Sequence, residues 1–296
     1  MESAVRGWID CMQQRKLDGT SNYIHSEYRQ NGRLFSRDTF TDYLNETGAR
    51  IFQGQLEEVQ VSSDSEWIWT IDDLLVAEDA QCLWGNIIIR WPRSKLRREA
   101  PSAQETGDLT VAEHSFFWFT DGKISKREFV RDWEGLQAQL PPQGCSWAVD
   151  SIGGTPVPSM NTRLRLTHEG LDQRYRTYLG LVNAKQLESA LSTEFWYSQF
   201  TRNGKPRFLD EFRAELAVLF STMSDIRADI QLLLPDASKQ RIHVHVKATC
   251  TFRSSKVEVR DHITYQFVDG RISRIWQFFD MVDLETQVSA IVGQGS

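Results

Sequence analysis

The chain has 296 residues, room for two domains with real cores, and its 40% hydrophobic and 25% charged content is that of a globular protein. A net charge of −6 gives no electrostatic reason to approach nucleic acid or an anionic membrane. No stretch approaches the roughly 18 apolar residues of a membrane span, and the N-terminal segment is charged throughout, so the expectation is a soluble, cytoplasmic protein. Cys11, Cys82, Cys145 and Cys250 have no paired spacing of the kind a zinc site or disulfide framework needs. Aromatic residues reach 11%, with 10 Trp, so large rings either pack the core or line an apolar cavity.

Val5, Trp8, Ile9, Met12 and Leu17 fall near helical spacing and predict an amphipathic first helix, ended by Asp18-Gly19. Asn31-Gly32 is a turn signal, and Ser36-Arg37-Asp38 reads as the cap of a second helix through Phe40, Tyr43 and Leu44. Glu66 to Ala77 and Gln81 to Trp91 are β-branched and aromatic runs that form a hairpin in outline. Arg93 to Asp108, charged and interrupted by Pro101, reads as an exposed loop. His114 to Asp132 places two strands about the turn Asp121-Gly122, and Trp133 to Leu140 adds a short helix.

A Pro/Gly/Ser-rich connector follows, which predicts domains at 1–140 and 164–296 with a linker at 141–163. The second domain repeats the first. Leu171, Tyr175, Tyr178, Leu179 and Val182 match the first helix, and Arg202-Asn203-Gly204-Lys205 echoes Gln30-Asn31-Gly32-Arg33. Phe208 to Leu219 is the second helix, and Asp225 to Leu234 and Gln240 to Phe252 supply two strands. The closing hairpin returns as HITYQFVDGRISRIWQFFD, with His262, Gly270 and Asp280 each 148 residues beyond His114, Gly122 and Asp132.

The order of elements and the DG-[KR]-I hairpin, carried by Phe119 to Ile124 and Phe267 to Ile272, resemble the nuclear transport factor 2-like superfamily, in particular its SnoaL-like polyketide cyclases. The resemblance implies an α+β fold of two tandem domains, each a helical cone on a curved antiparallel sheet with an apolar pocket on the concave face. It also implies an intramolecular pseudo-dimer, with a homodimer left open. In the family a catalytic acid stands seven residues past the turn Gly; here those positions are Gln277 and Phe129. An amide can only hydrogen-bond and a phenyl can only pack, so the family's epoxide-hydrolase mechanism is not expected of either copy.

Strand alternation puts Ser273, Ile275, Gln277 and Phe279 on the pocket face, joined by Asp261, Ile263, Tyr265 and Phe267, with Trp276 outward. Asp261 is the candidate proton carrier, Gln277 and Tyr265 orienting a carbonyl or enol oxygen. It is placed at the start of its strand, near the rim, as is its counterpart Glu113. Tyr197 and Gln199 are substrate-binding candidates, and a shift of one residue would replace Tyr197 by Trp196. His25 and Glu27 are the first copy's equivalents. Arg127 and Arg131 share that copy's pocket parity and read as a solvated rim. Asp132 and Asp280 read as helix N-caps. His243 and His245 fall on the outer face with His114 and His262, so no metal site is assigned.

The expected activity is cyclisation, isomerisation or dehydration of a small hydrophobic polyketide- or terpenoid-like metabolite in secondary metabolism, by proton transfer with neither metal nor organic cofactor. The second copy carries the pocket and the first is the scaffold. Two alternatives stay open: a pericyclase-like pocket that only preorganises its substrate, or a non-catalytic pseudo-dimer that binds a hydrophobic ligand or a protein.

Overall fold

A computed structural model of the protein describes residues 1–14, 16–47, 60–61, 68–91, 96–97, 108–139, 151–155, 164–223 and 225–293. The chain divides into two compact units, Met1–Val149 and Asp150–Ser296. Most of the predicted loop from Arg93 to Asp108 and most of the connector at 141–163 lie outside the described residues. Ser151 to Thr155 is described and is tied to the second unit, because Arg241 Nη2 donates to the Thr155 carbonyl at 3.0 Å.

The first unit opens with α1 (Glu2–Gln13) and a 3₁₀ turn (Leu17–Asn22), then β1 (Ile24–Gln30), β2 (Arg33–Ser36) and α2 (Arg37–Thr47). The short pair β3 (Gln60–Val61) and β6 (Leu96–Arg97) stands apart from the main strands β4 (Ile68–Ala77), β5 (Cys82–Trp91), β7 (Leu109–Thr120) and β8 (Lys123–Arg131). Helix α3 (Trp133–Ala138) follows. The main sheet runs β2-β1-β8-β7-β5-β4. Val5, Trp8 and Ile9 of α1 are buried in one cluster with Ile87, Ile89, Val111 and Phe117 of the sheet, as their helical spacing requires.

The second unit repeats this plan. Helices α4 (His168–Asn183) and α5 (Leu187–Ala190) lead to β9 (Trp196–Arg202), β10 (Lys205–Phe208) and α6 (Leu209–Thr222). Then come β11 (Arg227–Asp236), β12 (Arg241–Phe252), β13 (Ser255–Val268), β14 (Arg271–Phe279) and α7 (Met281–Gly293). The sheet order β10-β9-β14-β13-β12-β11 is that of the first unit. Both units therefore share one α+β arrangement, with one departure from the antiparallel sheet expected. The sheets are mixed, since β1 lies parallel to β8 and β9 parallel to β14. Each such pair is joined through a helix and several strands, the long connection that parallel neighbours require.

Curvature has the same origin in both copies. The register shifts between Trp118 and Phe119 and again between Gln266 and Phe267, because the facing strand carries one extra residue there, Ser125 in β8 and Ser273 in β14, which bends it. Both DG turns have positive φ at Asp and Gly, the geometry that lets a two-residue turn follow the twist of its strands. Beyond the second bulge the parity shifts, so Ile272 rather than Ser273 enters the core, and Ser273 Oγ donates to the Gln266 carbonyl instead. Among the described residues no helix is long and apolar enough to cross a membrane.

The parallel seam is fastened by an asparagine in each unit. Asn203, at φ 47°, accepts from the Gln277 N–H at 2.8 Å and donates to the Gln277 carbonyl at 3.0 Å. Asn31 does the same to Phe129, at 2.9 and 3.2 Å. Asn tolerates the left-handed backbone and supplies both bonds, which Ala cannot. Asn203→Ala is expected to cost about 1–3 kcal/mol in urea denaturation; a midpoint equal to wild type would sink this account of the seam.

Candidate active site

Strand β13 begins at Ser255, so Asp261 lies in mid-strand rather than at its start. It is paired with Val246 on one side and Phe279 on the other, and its side chain is 5% exposed. Gln277 on β14 donates from Nε2 to Asp261 Oδ2 at 2.6 Å, leaving Oδ1 buried without a hydrogen bond. The carboxyl pKa is pushed up to about 7: burial raises it, and the Gln277 bond and the Arg202 guanidinium only partly oppose that.

Three tyrosines surround this acid. The Tyr265 ring, on the same strand, lies 5.2 Å from Tyr175 and 6.2 Å from Tyr178 of α4, between ring centroids. Burial first, and then proximity to one another or to Asp261, raise all three phenol pKa values, so each hydroxyl keeps its proton at neutral pH. Trp196 stands 6.5 Å from Tyr265 and 5.7 Å from Tyr178 and is fully buried. Ile263, Phe267 and Ile275 belong to the same buried cluster, and Phe279 is half-buried beside Asp261 in the sheet.

The structure brings Asp261, Gln277 and Tyr265 to one face, with Trp196, Ile263, Phe267 and Ile275. It does not bring Tyr197 and Gln199 there. Trp196 and Phe200 turn inward, so the register of β9 puts Tyr197 and Gln199 on its other face, where Tyr197 lies beneath the Arg271 guanidinium at 4.0 Å and Gln199 is exposed. His25 and Glu27 point away from the core of the first unit in the same manner, Ile24 and Tyr28 being the buried residues of β1. His243 and His245 alternate with the core residues Ile242, Val244 and Val246 and so take the outer face; His243 Nδ1 meets Thr264 Oγ1 at 2.9 Å and the His245 and His262 rings are 4.8 Å apart. Asp132 and Asp280 cap α3 and α7, accepting from Gly135 N at 2.9 Å and Asp283 N at 3.1 Å. Tyr175, Tyr178 and Arg202 were not among the expected site residues. A helix face that carries two tyrosines where α1 has Val5 and Trp8 was the available signal.

Comparison with known proteins bears on this unit. The family model of the SnoaL-like polyketide cyclases matches residues 170–288. The match lies within the second unit, which is similar to the SnoaL-like polyketide cyclases over that stretch. Similar solved structures include a SnoaL-like polyketide cyclase from Agrobacterium tumefaciens, 27% identical over 40% of this chain and 97% of that one, with a TM-score of 0.36. PrhC from Penicillium brasilianum is 14% identical over 43% of this chain and 91% of its own, with a TM-score of 0.37. BvnE pinacolase from Penicillium brevicompactum is 12% identical over 43% and 98%, also at 0.37. No curated protein matches the chain.

At the position of Asp261 in the second unit, the first unit has Glu113, and the surroundings differ. Glu113 is fully buried, with Arg131 Nε donating to Oε2 at 2.9 Å, Ser115 Oγ donating to Oε1 at 2.7 Å, and Arg127 Nη2 also bonded to Oε1. Burial would raise its pKa, but Arg127 and Arg131 outweigh it and hold the carboxyl below its ordinary range. The two arginines are 3% and 5% exposed, so they are core residues and not the solvated rim expected from sequence; Glu113 is what allows their burial. Arg127 also lies 4.6 Å from the Trp8 ring and 4.3 Å from the Phe129 ring. Among the described residues no group of three or more His, Cys, Asp or Glu side chains could hold a metal.

These two acids have opposite linkage to pH. The folded pKa of Asp261 is raised, so wild-type stability falls as pH rises from about 4 to about 7, by up to roughly 4 kcal/mol. Asp261→Asn is therefore expected to raise the urea midpoint at about pH 8 and to lose that advantage near pH 4; a gain that does not vary with pH would refute the buried, uncompensated acid. The Glu113 pKa is lowered, so its contribution is present at neutral pH and is lost only in acid. Glu113→Gln leaves two buried cations without a counter-charge and is expected to cost about 3–5 kcal/mol at neutral pH, read by the same denaturation.

Proposed function

We propose that the second unit is a cofactor-independent cyclase, isomerase or dehydratase that moves a proton on a small, largely apolar polyketide- or terpenoid-like metabolite, with Asp261 as the proton carrier. One observation carries this reading: a carboxyl buried in mid-sheet, with one oxygen held by Gln277 and the other left unpaired, whose pKa burial pushes up to about 7. A group whose pKa is close to the working pH is populated in both forms, which is what a general acid and base needs.

The local chemistry follows from the two oxygens. Gln277 fixes the plane of the carboxyl through Oδ2, so Oδ1 is the atom that takes a proton from an acidic C–H or gives one to a carbonyl or hydroxyl oxygen. A proton removed by Oδ1 can return from the same atom to another carbon or to a leaving oxygen, so the step is balanced within the pocket. The phenols of Tyr265 and Tyr175 keep their protons and can donate to an enol or enolate oxygen as charge develops. The aromatic walls at Trp196 and Tyr178 exclude water and hold a hydrophobic chain folded.

The first unit is read as scaffold. Its acid is held ionised by two arginines, and a carboxylate fixed in an ion pair neither delivers nor accepts a proton near neutral pH.

For a metabolite that the protein turns over, Asp261→Asn is expected to lower kcat by about 10²–10⁴-fold. The wild-type kcat/KM profile should show a group near pH 7, and Gln277→Ala should move it upward, because the bond that favours ionisation is lost. Full activity in both variants would remove Asp261 and Gln277 from the mechanism.

A further inference from the structure

Arg202 ends β9 on the same face as Trp196 and Phe200, next to the Asn203 that fastens the seam to Gln277. Its guanidinium reaches the Phe212 ring at 5.8 Å and is close enough to favour the ionised forms of both Asp261 and Tyr178. Arg202 is half-buried, and among the described residues its side chain makes no hydrogen bond or ion pair. Its counterpart in the first unit is Gln30, at the same hairpin position, whose Oε1 accepts from the Tyr28 hydroxyl at 3.0 Å and from Arg127 Nη1 at 3.3 Å.

We propose that Arg202 recognises a carboxylate on the substrate, so that the pocket of the second unit takes an acidic metabolite with an apolar body rather than a neutral one. The groups around Asp261 are Gln277 on β14, Tyr265 on its own strand, Tyr175 and Tyr178 on α4, and Arg202 on β9. Of these only Arg202 carries charge at neutral pH. With Asp261 protonated the pocket is a lone cation waiting for an anion; with Asp261 ionised the face is already neutral. Carboxylate binding and protonation of Asp261 therefore favour each other, which keeps the acid loaded when substrate is in place. This rests on Asp261 being the acid of the pocket.

The test is calorimetric titration of the full chain with 1-naphthoate and with its neutral methyl ester. Wild type is expected to bind the carboxylate about tenfold more tightly than the ester at about pH 6, with a smaller preference at about pH 8. Arg202→Gln should abolish the preference and leave ester binding in place, which also reports that the variant is folded; Arg202→Met serves if the Gln variant is unstable. Asp261→Asn should keep the preference at both pH values. A carboxylate bound no better than the ester, binding of neither probe, or a preference that survives loss of Arg202 would overturn the proposal. If instead Arg202 controls the preference but Asp261→Asn turns over substrate as wild type does, only the proton-transfer reading fails.

Discussion

A carboxylate placed in the dry middle of a β-sheet must be neutralised, paired or left costly, and the two units resolve that constraint in opposite ways. Glu113 on β7 and Asp261 on β13 hold equivalent positions in the two sheets, each with partners on both sides. Neither backbone can move outward to find water without breaking two ladders of hydrogen bonds. The burial of each acid is thus imposed by the sheet, and what differs is the company it keeps.

That company is a redistribution of charge among three facing positions. In the first unit the β8 positions carry Arg127 and Arg131 and the β1 position carries neutral Gln30, so the acid is clamped from the neighbouring strand. In the second unit the β14 positions are Ile275 and Phe279 and the cation has moved to Arg202 on β9, which acts on Asp261 from a distance without pairing with it. A guanidinium in contact fixes a carboxylate; one held back biases it while leaving both groups open to a third party. Gln277, where the first unit has Phe129, then supplies the single neutral bond that orients Asp261.

Much of the frame was legible in the chain because it depends on local rules. The DG turns, the strand alternation, the two caps at Asp132 and Asp280 and the repeat itself are short-range patterns, and the elements follow them within a few residues. The site was legible only in part. Asp261, Gln277 and Tyr265 follow from parity because they lie on the stretch of the hairpin before its bulge, whereas Tyr197 and Gln199 were misplaced because β9 enters the sheet next to an irregular parallel pairing, where counting by twos has no anchor. The burial of Arg127 and Arg131 could not be read at all: a charged residue at a pocket-parity position is solvated unless a partner lies across the sheet, and that partner, Glu113, is 14 residues from one and 18 from the other.

The difference between the units also bears on why a protein would keep an acid such as Asp261. Glu113 is over-satisfied, and its arginines, stacked on Trp8 and Phe129, fill the space above the sheet with their own side chains. Asp261 is under-satisfied, and its neighbours are buried tyrosines whose hydroxyls stay protonated. A core selected for stability alone would carry a hydrophobe or an ion pair at that position, as the first unit shows is possible on the same frame. Retaining an unpaired oxygen there is a cost that folding does not repay, and such sites concentrate where binding or chemistry does. The duplicated frame thus carries two buried acids in opposite states: Glu113 closed in ion pairs with Arg127 and Arg131, and Asp261 held by one neutral hydrogen bond with its other oxygen unpaired.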